Sequence, residues 1–388
     1  MTADGDAPDA AESSAASRAA TLATDIFQGL LILCVVGWVL DIPRRVFGAA
    51  FYTEQLLAVC LGLTLALAFI ATPDRRPRWY DWIGVALSLA ICGYIAVRYE
   101  ALTYEMAMLP VEGIVGSLIL IALVLEATRR TSGGVLVIII LALVAYVFIG
   151  PNLPGDFQTR YVSPERLAVY LGLDTNGMIG TILGVAVLIV VPFTLMGQVL
   201  GRTGGANYFA DLAMSAMGNF RGGAAKIAVV GSALFGMISG AAVSNVVAVG
   251  IVTIPLMVRS GFTRARAAAI EAVGSTGGQL MPPVMGAAAF IMAEFLQVSY
   301  GAVVVAAAIP ALLYYAALFI HVDLEAAKHR IGAAKVEEAP PGFLEVVRSG
   351  WHFPIPIAFL IATLVWPEFF QIPIERAAVY STGIMIVL

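Results

Sequence analysis

Apolar segments of membrane-spanning length follow one another along this chain, with only short polar breaks between them. Helices need about 20 predominantly apolar residues to cross a bilayer. Hydrophobic residues make up 60% of the chain and charged residues only 12%, against about 25% charged in soluble domains. The pattern predicts an all-α, polytopic membrane protein in a lipid bilayer. We place its plain spans at about 22–40, 54–72, 82–98, 113–127, 134–149, 178–200, 301–321 and 351–368.

Composition also excludes several classes of function. The net charge of −4 does not indicate a nucleic-acid partner. No lysine lies in a Gly-x-x-x-x-Gly-Lys phosphate loop, so ATP hydrolysis is not indicated. The three cysteines and three histidines do not lie at metal-ligand spacing, and we expect neither a metal centre nor an organic cofactor. The sequence carries no Gly-x-Ser-x-Gly elbow, and we expect that the chain is not an enzyme.

The apolar segment 226–258 is interrupted by small and polar residues, from Ser239 to Asn245. At membrane depth, backbone polar groups must be satisfied by protein, water or ions. Hydroxyl, amide and carbonyl oxygens suit a hard cation such as Na⁺, while the helix N-terminus after the break favours an anionic group. A close-packed contact between helices rich in small residues is the alternative.

A second break interrupts the apolar segment 263–297. Its sequence is Gly274-Ser-Thr-Gly-Gly-Gln-Leu-Met-Pro-Pro283, and the two prolines at its end remove N–H donors and restrict φ. Discontinuous helices of this kind mark transporter binding sites near the middle of the membrane. A simple proline kink is the alternative, but it does not explain the polar and glycine residues before Pro282.

Two carboxylates lie in or beside the broken segment. Charged residues inside membranes are rare and often functional, so Glu271 and Glu294 are candidate coupling carboxylates. Glu271 is also close in sequence to Arg264 and Arg266, either of which can pair with it. A structural or interfacial role is the alternative for both carboxylates.

The distribution of Lys and Arg predicts how the chain crosses the membrane. With the N-terminus in the cytoplasm and 226–258 as a re-entrant hairpin, 16 basic residues lie inside and 6 outside, which accounts for all 22. With 226–258 as a single span, the counts become 10 and 12. Because cytoplasmic loops are enriched in Lys and Arg, the hairpin is favoured. We expect residues 1–20 to form a disordered cytoplasmic tail.

Two stretches resemble the large membrane subunit of the tripartite ATP-independent periplasmic (TRAP) transporters. The run Gly231-Ser-Ala-Leu-Phe-Gly-Met-Ile-Ser-Gly-Ala-Ala-Val-Ser-Asn-Val-Val247 looks like that subunit's first re-entrant hairpin. The run Glu271-Ala-Val-Gly-Ser-Thr-Gly-Gly-Gln-Leu-Met-Pro-Pro-Val-Met-Gly-Ala-Ala-Ala-Phe-Ile-Met-Ala-Glu294 resembles its broken helix. The four spans before Arg129 look like the small membrane subunit, in a fusion similar to those that work with TAXI-type binding proteins.

The resemblance implies a Na⁺-driven permease in the bacterial inner membrane, with an elevator-type fold. It receives an organic acid from a soluble periplasmic binding protein. Residues 21–131 would be the small-subunit scaffold and residues 132–388 the first portion of the large-subunit transport domain, containing the first inverted repeat only. The implied Na⁺ ligands are Ser239, Gly240, Ser244, Asn245, Gly274, Ser275, Thr276 and Gly278. The implied substrate contacts are Asn245, Thr276 and Gln279, and the helix break is at Pro282 and Pro283.

The sequence departs from the family pattern in two places. The family's hairpin often reads Ser-Gly-Ser-Ala-Val-Ala-Asn, whereas here position 241 is alanine and position 244 is serine, which leaves Ser244 as a replacement ligand. The chain stops at Leu388 within an unfinished apolar run, so we expect a truncated transporter. The alternatives are an inactive fragment or scaffold, and a membrane-embedded transferase, for which we find no Asp-rich or His-bearing loop.

Overall fold

Helices make up 81% of the structure, a computed structural model that describes residues 7–48, 51–71, 77–334 and 342–388. No strand occurs in these ranges, which confirms the all-α prediction. Eight helical segments of the described residues are long and apolar enough to cross a membrane. These segments are Ala19–Val39, Thr53–Ile70, Trp79–Met108, Val111–Thr131, Gly134–Asn152, Thr181–Arg202, Ala242–Ser260 and Tyr300–Lys328.

The chain divides into two compact units, Met1–Val187 and Leu188–Leu388. The helices of the first unit are α1 (Ala7–Val39), α2 (Ile42–Phe47), α3 (Thr53–Ile70), α4 (Trp79–Glu105), α5 (Val111–Thr131), α6 (Gly134–Ile149), α7 (Pro164–Leu173) and α8 (Thr181–Val185), with 3₁₀ turns at Met106–Met108, Gly150–Asn152 and Gly155–Phe157. In this unit α1 packs on α3, α3 on α4, and α5 on α4, α6 and α7.

The first helix differs from the sequence prediction. The disordered tail predicted for residues 1–20 is wrong from Ala7 onward, because α1 begins there. Alanine has the highest helix propensity, and the stretch before the first span is rich in alanine, so the helix extends beyond the apolar segment. Residues 1–6 lie outside the described part of the chain.

In the first unit, a buried ion pair holds α4 to α5. The Asp81 carboxylate, 1% exposed, accepts from the Arg130 guanidinium at 2.7 Å. Asp81 also accepts at 2.6 Å from the backbone N–H of Arg78, which precedes α4. The ion pair joins the start of α4 to the end of α5, although 49 residues separate the partners.

The second unit contains both interrupted segments. Its helices are α9 (Val191–Arg202), α10 (Gly205–Met217), α11 (Gly223–Ser239), α12 (Ala242–Ser260), α13 (Arg264–Gly277), α14 (Ala287–Leu296), α15 (Tyr300–Lys328), α16 (Phe343–Ser349), α17 (Pro354–Val365), α18 (Pro367–Phe370) and α19 (Ile374–Val387). A π-helical turn at Ala186–Val190 precedes α9. A buried cluster from α11, α12, α13 and α15 forms the core.

Helix α15 continues beyond the predicted span 301–321, and charged side chains on its last turns form ion pairs with other helices. Asp323 accepts from the Lys226 ammonium at 2.7 Å and from the guanidinium of Arg221. Arg266 pairs with Glu325 at 2.7 Å. These ion pairs attach the last two turns of α15 to the beginnings of α11 and α13.

The boundary between units, at Val187, does not coincide with the boundary predicted at residues 131 and 132. The structural boundary reflects how densely segments pack, whereas the predicted one reflects resemblance to two subunits. The predicted division into residues 21–131 and 132–388 therefore stays a prediction.

Candidate functional site

The first break is a two-residue turn between the antiparallel neighbours α11 and α12. Helix α11 ends at Ser239 and α12 begins at Ala242. Gly240 adopts a left-handed conformation with φ of 60°, and a Cβ there would lie 2.1 Å from the Met285 carbonyl oxygen. Both constraints require glycine. We call residues Ser239–Asn245 the hairpin tip.

Two buried oxygens at the hairpin tip have no hydrogen-bond partner. They are Ser239 Oγ, in a residue 8% exposed, and Asn245 Oδ1, in a residue with no exposed surface. The other side of the Asn245 amide is satisfied, because Nδ2 donates to the Ser232 carbonyl at 2.9 Å. Since buried polar atoms are nearly always satisfied, these two acceptors are available to a ligand.

The second break separates α13 from α14. Helix α13 ends at Gly277, and residues 278–286 form a non-helical segment that contains the cis Pro282-Pro283 bond. Tyrosine hydroxyls from α15 hold both sides of it. Tyr315 donates to the Gly274 carbonyl at 2.9 Å, and the Tyr300 hydroxyl lies 2.5 Å from the Val284 carbonyl and 3.0 Å from the Pro283 carbonyl.

The two breaks are packed directly against each other. A Cβ on Gly236 would lie 2.6 Å from the Gly278 Cα and 2.8 Å from Asn245 Nδ2. Two glycines therefore allow the backbones of α11 and the broken segment to touch. The Val284 N–H also donates to the Met237 carbonyl at 3.2 Å, which fixes the segment beside the hairpin.

Three hydroxyls, from the helices that form the two breaks, surround the Glu271 carboxylate. Ser232 and Ser275 donate to Oε1 at 3.0 and 3.1 Å, and Thr253 lies 2.5 Å from Oε2. Glu271 is only 1% exposed. The sequence suggested pairing with Arg264 or Arg266, but Arg264 is exposed and Arg266 pairs with Glu325.

A cavity of about 1020 Å³ lies beside both breaks. Its wall includes the first residues of α12 and of α14, so two helix N-termini border it. Helix N-termini carry partial positive charge and free N–H groups. Among the described residues that line it, the polar side chains are Thr194, Ser239 and Gln279, and there is no Lys or Arg.

The predicted site residues fall into two groups. Ser239, Gly240, Asn245, Gly278 and Gln279 lie at the contact between the breaks or on the cavity wall. Ser244 is half-buried in the first turn of α12, and Gly274 and Ser275 are buried beside the tyrosine and Glu271 contacts.

The remaining candidates point elsewhere. Thr276 is exposed and donates to the Ala272 carbonyl within its own helix, so its hydroxyl hydrogen is already used. Glu294 is exposed near the end of α14 and does not line the cavity.

Sequence reasoning missed Ser232, Thr253 and Tyr300. The first two are isolated hydroxyls inside apolar helices, which usually satisfy themselves on their own backbone. A faint signal exists on α11, where Ser232 and Ser239 are seven residues, or about two helical turns, apart and therefore lie on one face. Tyr300 has no such signal, because its partners arise from tertiary packing.

Comparison with known proteins gives one family. The family model described as "Tripartite ATP-independent periplasmic transporter, DctM component" matches residues 119–388, which is more than half of the chain. The match begins within α5, so the first three long helices lie outside it.

Individual relatives are similar over shorter stretches. The C4-dicarboxylate TRAP transporter large permease protein DctM of Pseudomonas aeruginosa is 36% identical over 127 residues, 32% of this chain and 29% of the relative. The uncharacterized protein YgiK of Salmonella typhimurium is 27% identical over 227 residues, 58% and 48% of the two chains. The ectoine TRAP transporter large permease protein TeaC of Halomonas elongata is 33% identical over 102 residues, 26% and 24%. The aligned part thus spans less than half the length of each relative.

Proposed function

Because this chain belongs to the DctM component family of tripartite ATP-independent periplasmic transporters, we propose that it is the membrane permease of a Na⁺-coupled secondary transporter. In this proposal it imports an organic acid delivered by a periplasmic solute-binding protein. Each Na⁺ that enters contributes about 2.3 kcal/mol per 100 mV of membrane potential, which drives uptake without ATP.

The observation that supports Na⁺ coupling most directly is the pair of unpartnered oxygens at the hairpin tip. Ser239 Oγ and Asn245 Oδ1 are neutral oxygen acceptors, buried where two helices are broken. Hard cations prefer oxygen ligands, and transporters coordinate Na⁺ at such interruptions. We propose that these two atoms are the side-chain ligands of one Na⁺, and that backbone carbonyls around Gly240 and Gly278 complete its shell.

An anionic substrate group is supported by the two helix N-termini at the cavity. N–H groups at the start of α12 and α14 suit a carboxylate. In the proposal Gln279 on the cavity wall contacts the substrate. Thr276 is a weaker candidate than the sequence suggested, since its hydroxyl donates to the Ala272 carbonyl.

The proposal includes a topology and an assembly. The hairpin of α11 and α12 is re-entrant, the N-terminus is cytoplasmic, and the protein lies in the bacterial inner membrane. Residues 21–131 act as a small-subunit scaffold and residues 132–388 contribute to an elevator-type transport domain. The binding protein is of the TAXI type.

Uptake into proteoliposomes tests the coupling. The purified chain is reconstituted with a TAXI-type periplasmic binding protein from the same organism, and ¹⁴C-labelled mono- and dicarboxylates, beginning with succinate, are supplied outside. We expect accumulation with an inward Na⁺ gradient and none when choline replaces Na⁺. Accumulation that ignores the Na⁺ gradient would contradict the coupling.

Substitutions at the hairpin tip test whether its side chains bind the Na⁺ that drives uptake. Ser239→Ala and Asn245→Ala should raise the Na⁺ concentration for half-maximal uptake at least tenfold, because each removes a proposed ligand. The matched control is Ser215→Ala on α10, whose hydroxyl is bonded to the Leu212 carbonyl of its own helix. Equal Na⁺ dependence in all three variants would refute the tip site.

A further inference from the structure

The Glu271 carboxylate sits where three helices meet. Its hydroxyl partners come one from each helix: Ser232 from α11, Thr253 from α12 and Ser275 from α13 itself. Helix α12 also leaves room for it, since a Cβ on Gly250 would lie 3.1 Å from Glu271 Cγ. Both arms of the hairpin and the broken helix therefore contribute oxygens to one buried cluster around Glu271.

Among the described residues, this cluster contains a carboxylate but no neutralising side chain. None of the ion pairs among the described residues includes Glu271, and the nearest basic residue in sequence, Arg266, is paired with Glu325 at 2.7 Å. An isolated buried carboxylate is costly, and buried charges are normally paired or bound to a metal. Three hydroxyl donors lower that cost without cancelling the charge.

The oxygens of the cluster match a monovalent cation. One carboxylate and three hydroxyls are hard ligands, and all three hydroxyl oxygens lie within 3.1 Å of a carboxylate oxygen. A single negative charge balances Na⁺, whereas a divalent ion would remain under-neutralised. The Thr253 hydroxyl has an alternative acceptor, the Val249 carbonyl at 3.1 Å, so its oxygen lone pairs are free to face an ion.

We propose that Glu271, Ser232, Thr253 and Ser275 form a second Na⁺ site, separate from the neutral site at the hairpin tip. The bound ion would neutralise Glu271 and join both hairpin arms to α13. Its role in transport rests on the proposed function, but binding itself does not, and binding can be measured without substrate or gradient.

Equilibrium binding of ²²Na⁺ to the purified chain in detergent, with choline keeping the ionic strength constant, tests the proposal. We expect two Na⁺ per wild-type chain and one in Glu271→Gln, which keeps the size of the side chain and removes its charge. Thr253→Val keeps the carboxylate and the branched shape, and should weaken one of the two sites about tenfold. The control Glu368→Gln, an exposed carboxylate on α18, should bind two.

The outcomes separate this site from the tip site. Two Na⁺ in a monodisperse Glu271→Gln protein would overturn the second site. One Na⁺ in the wild type, lost in Ser239→Ala but kept in Glu271→Gln, would overturn it and leave the proposed function intact. One Na⁺ lost only in Glu271→Gln would support it and refute the tip site. No Na⁺ in the wild type would refute both sites.

Discussion

Replacing Gly236 by alanine should force the hairpin away from the broken helix. The new Cβ would lie 2.6 Å from the Gly278 Cα, about 0.8 Å inside an ordinary 3.4 Å contact. The obstacle is backbone, which cannot rotate aside, so we take the cost of overpacking near its usual upper value of about 3 kcal/mol. The higher helix propensity of alanine stabilises the folded protein by about 1 kcal/mol. The net destabilisation is therefore about 2 kcal/mol.

Gly231→Ala is the matched control on the same helix. Its Cβ would meet Val249 and Ala213 at 3.5 and 3.8 Å, which are ordinary contacts, so the helix-propensity gain of up to about 1 kcal/mol should remain.

Thermal unfolding in one detergent compares the two variants, together with ²²Na⁺ affinity. The second unit, Leu188–Leu388, has a size for which 1 kcal/mol shifts the unfolding midpoint by about 2–4 °C. Gly236→Ala should therefore lower the midpoint of this unit by about 4–8 °C and weaken Na⁺ binding at the tip. A Gly236→Ala protein that is as stable as Gly231→Ala, with unchanged Na⁺ affinity, would refute the close contact between the breaks.

Two further substitutions test packing away from the hairpin tip. Arg130→Met removes the guanidinium that pairs with the buried Asp81 carboxylate and should destabilise the first unit by about 3 kcal/mol. Arg129→Met, at an exposed pair, should change the unfolding midpoint by less than about 2 °C. Tyr300→Phe removes the hydroxyl that bonds the Val284 and Pro283 carbonyls. It should cost about 1 kcal/mol and speed amide exchange at Val284. Unchanged midpoints in Arg130→Met, or unchanged exchange in Tyr300→Phe, would contradict these assignments.

The positions of the helices and breaks were predictable from local sequence. Apolar runs predicted seven of the eight membrane-spanning segments. The other segment, Ala242–Ser260, was predicted as an arm of the hairpin, and the predicted span 351–368 corresponds to the shorter helix α17. The residues after Ser239 and Gly274 predicted the interruptions because glycine and proline restrict helix geometry locally. The local pattern did not predict that the alanine-rich polar sequence at the start of the chain is helical. It also placed the end of α15 too early, because the last turns of this helix carry charged residues that pair with distant parts of the chain.

The chemistry of the site was less predictable, because it depends on contacts between segments. Glu271 was identified from its position in an apolar run, but its three hydroxyl partners lie up to 39 residues away. Nothing local distinguishes Thr253 from a threonine bonded to its own helix, and Thr276 proved to be such a residue. A single sequence also contains no signal for the Gly236–Gly278 approach, since either glycine alone is compatible with a flexible turn.

The contact between the two breaks has a mechanical consequence. The Met285 carbonyl fills the space beside Gly240, and the Val284 N–H is bonded to the Met237 carbonyl, so sliding one segment past the other would break a hydrogen bond and create a steric clash. The hairpin and the segment after α13 should therefore travel as a single rigid body whenever the protein changes conformation. Spin labels on the two segments would report the same separation in every conformation of the protein.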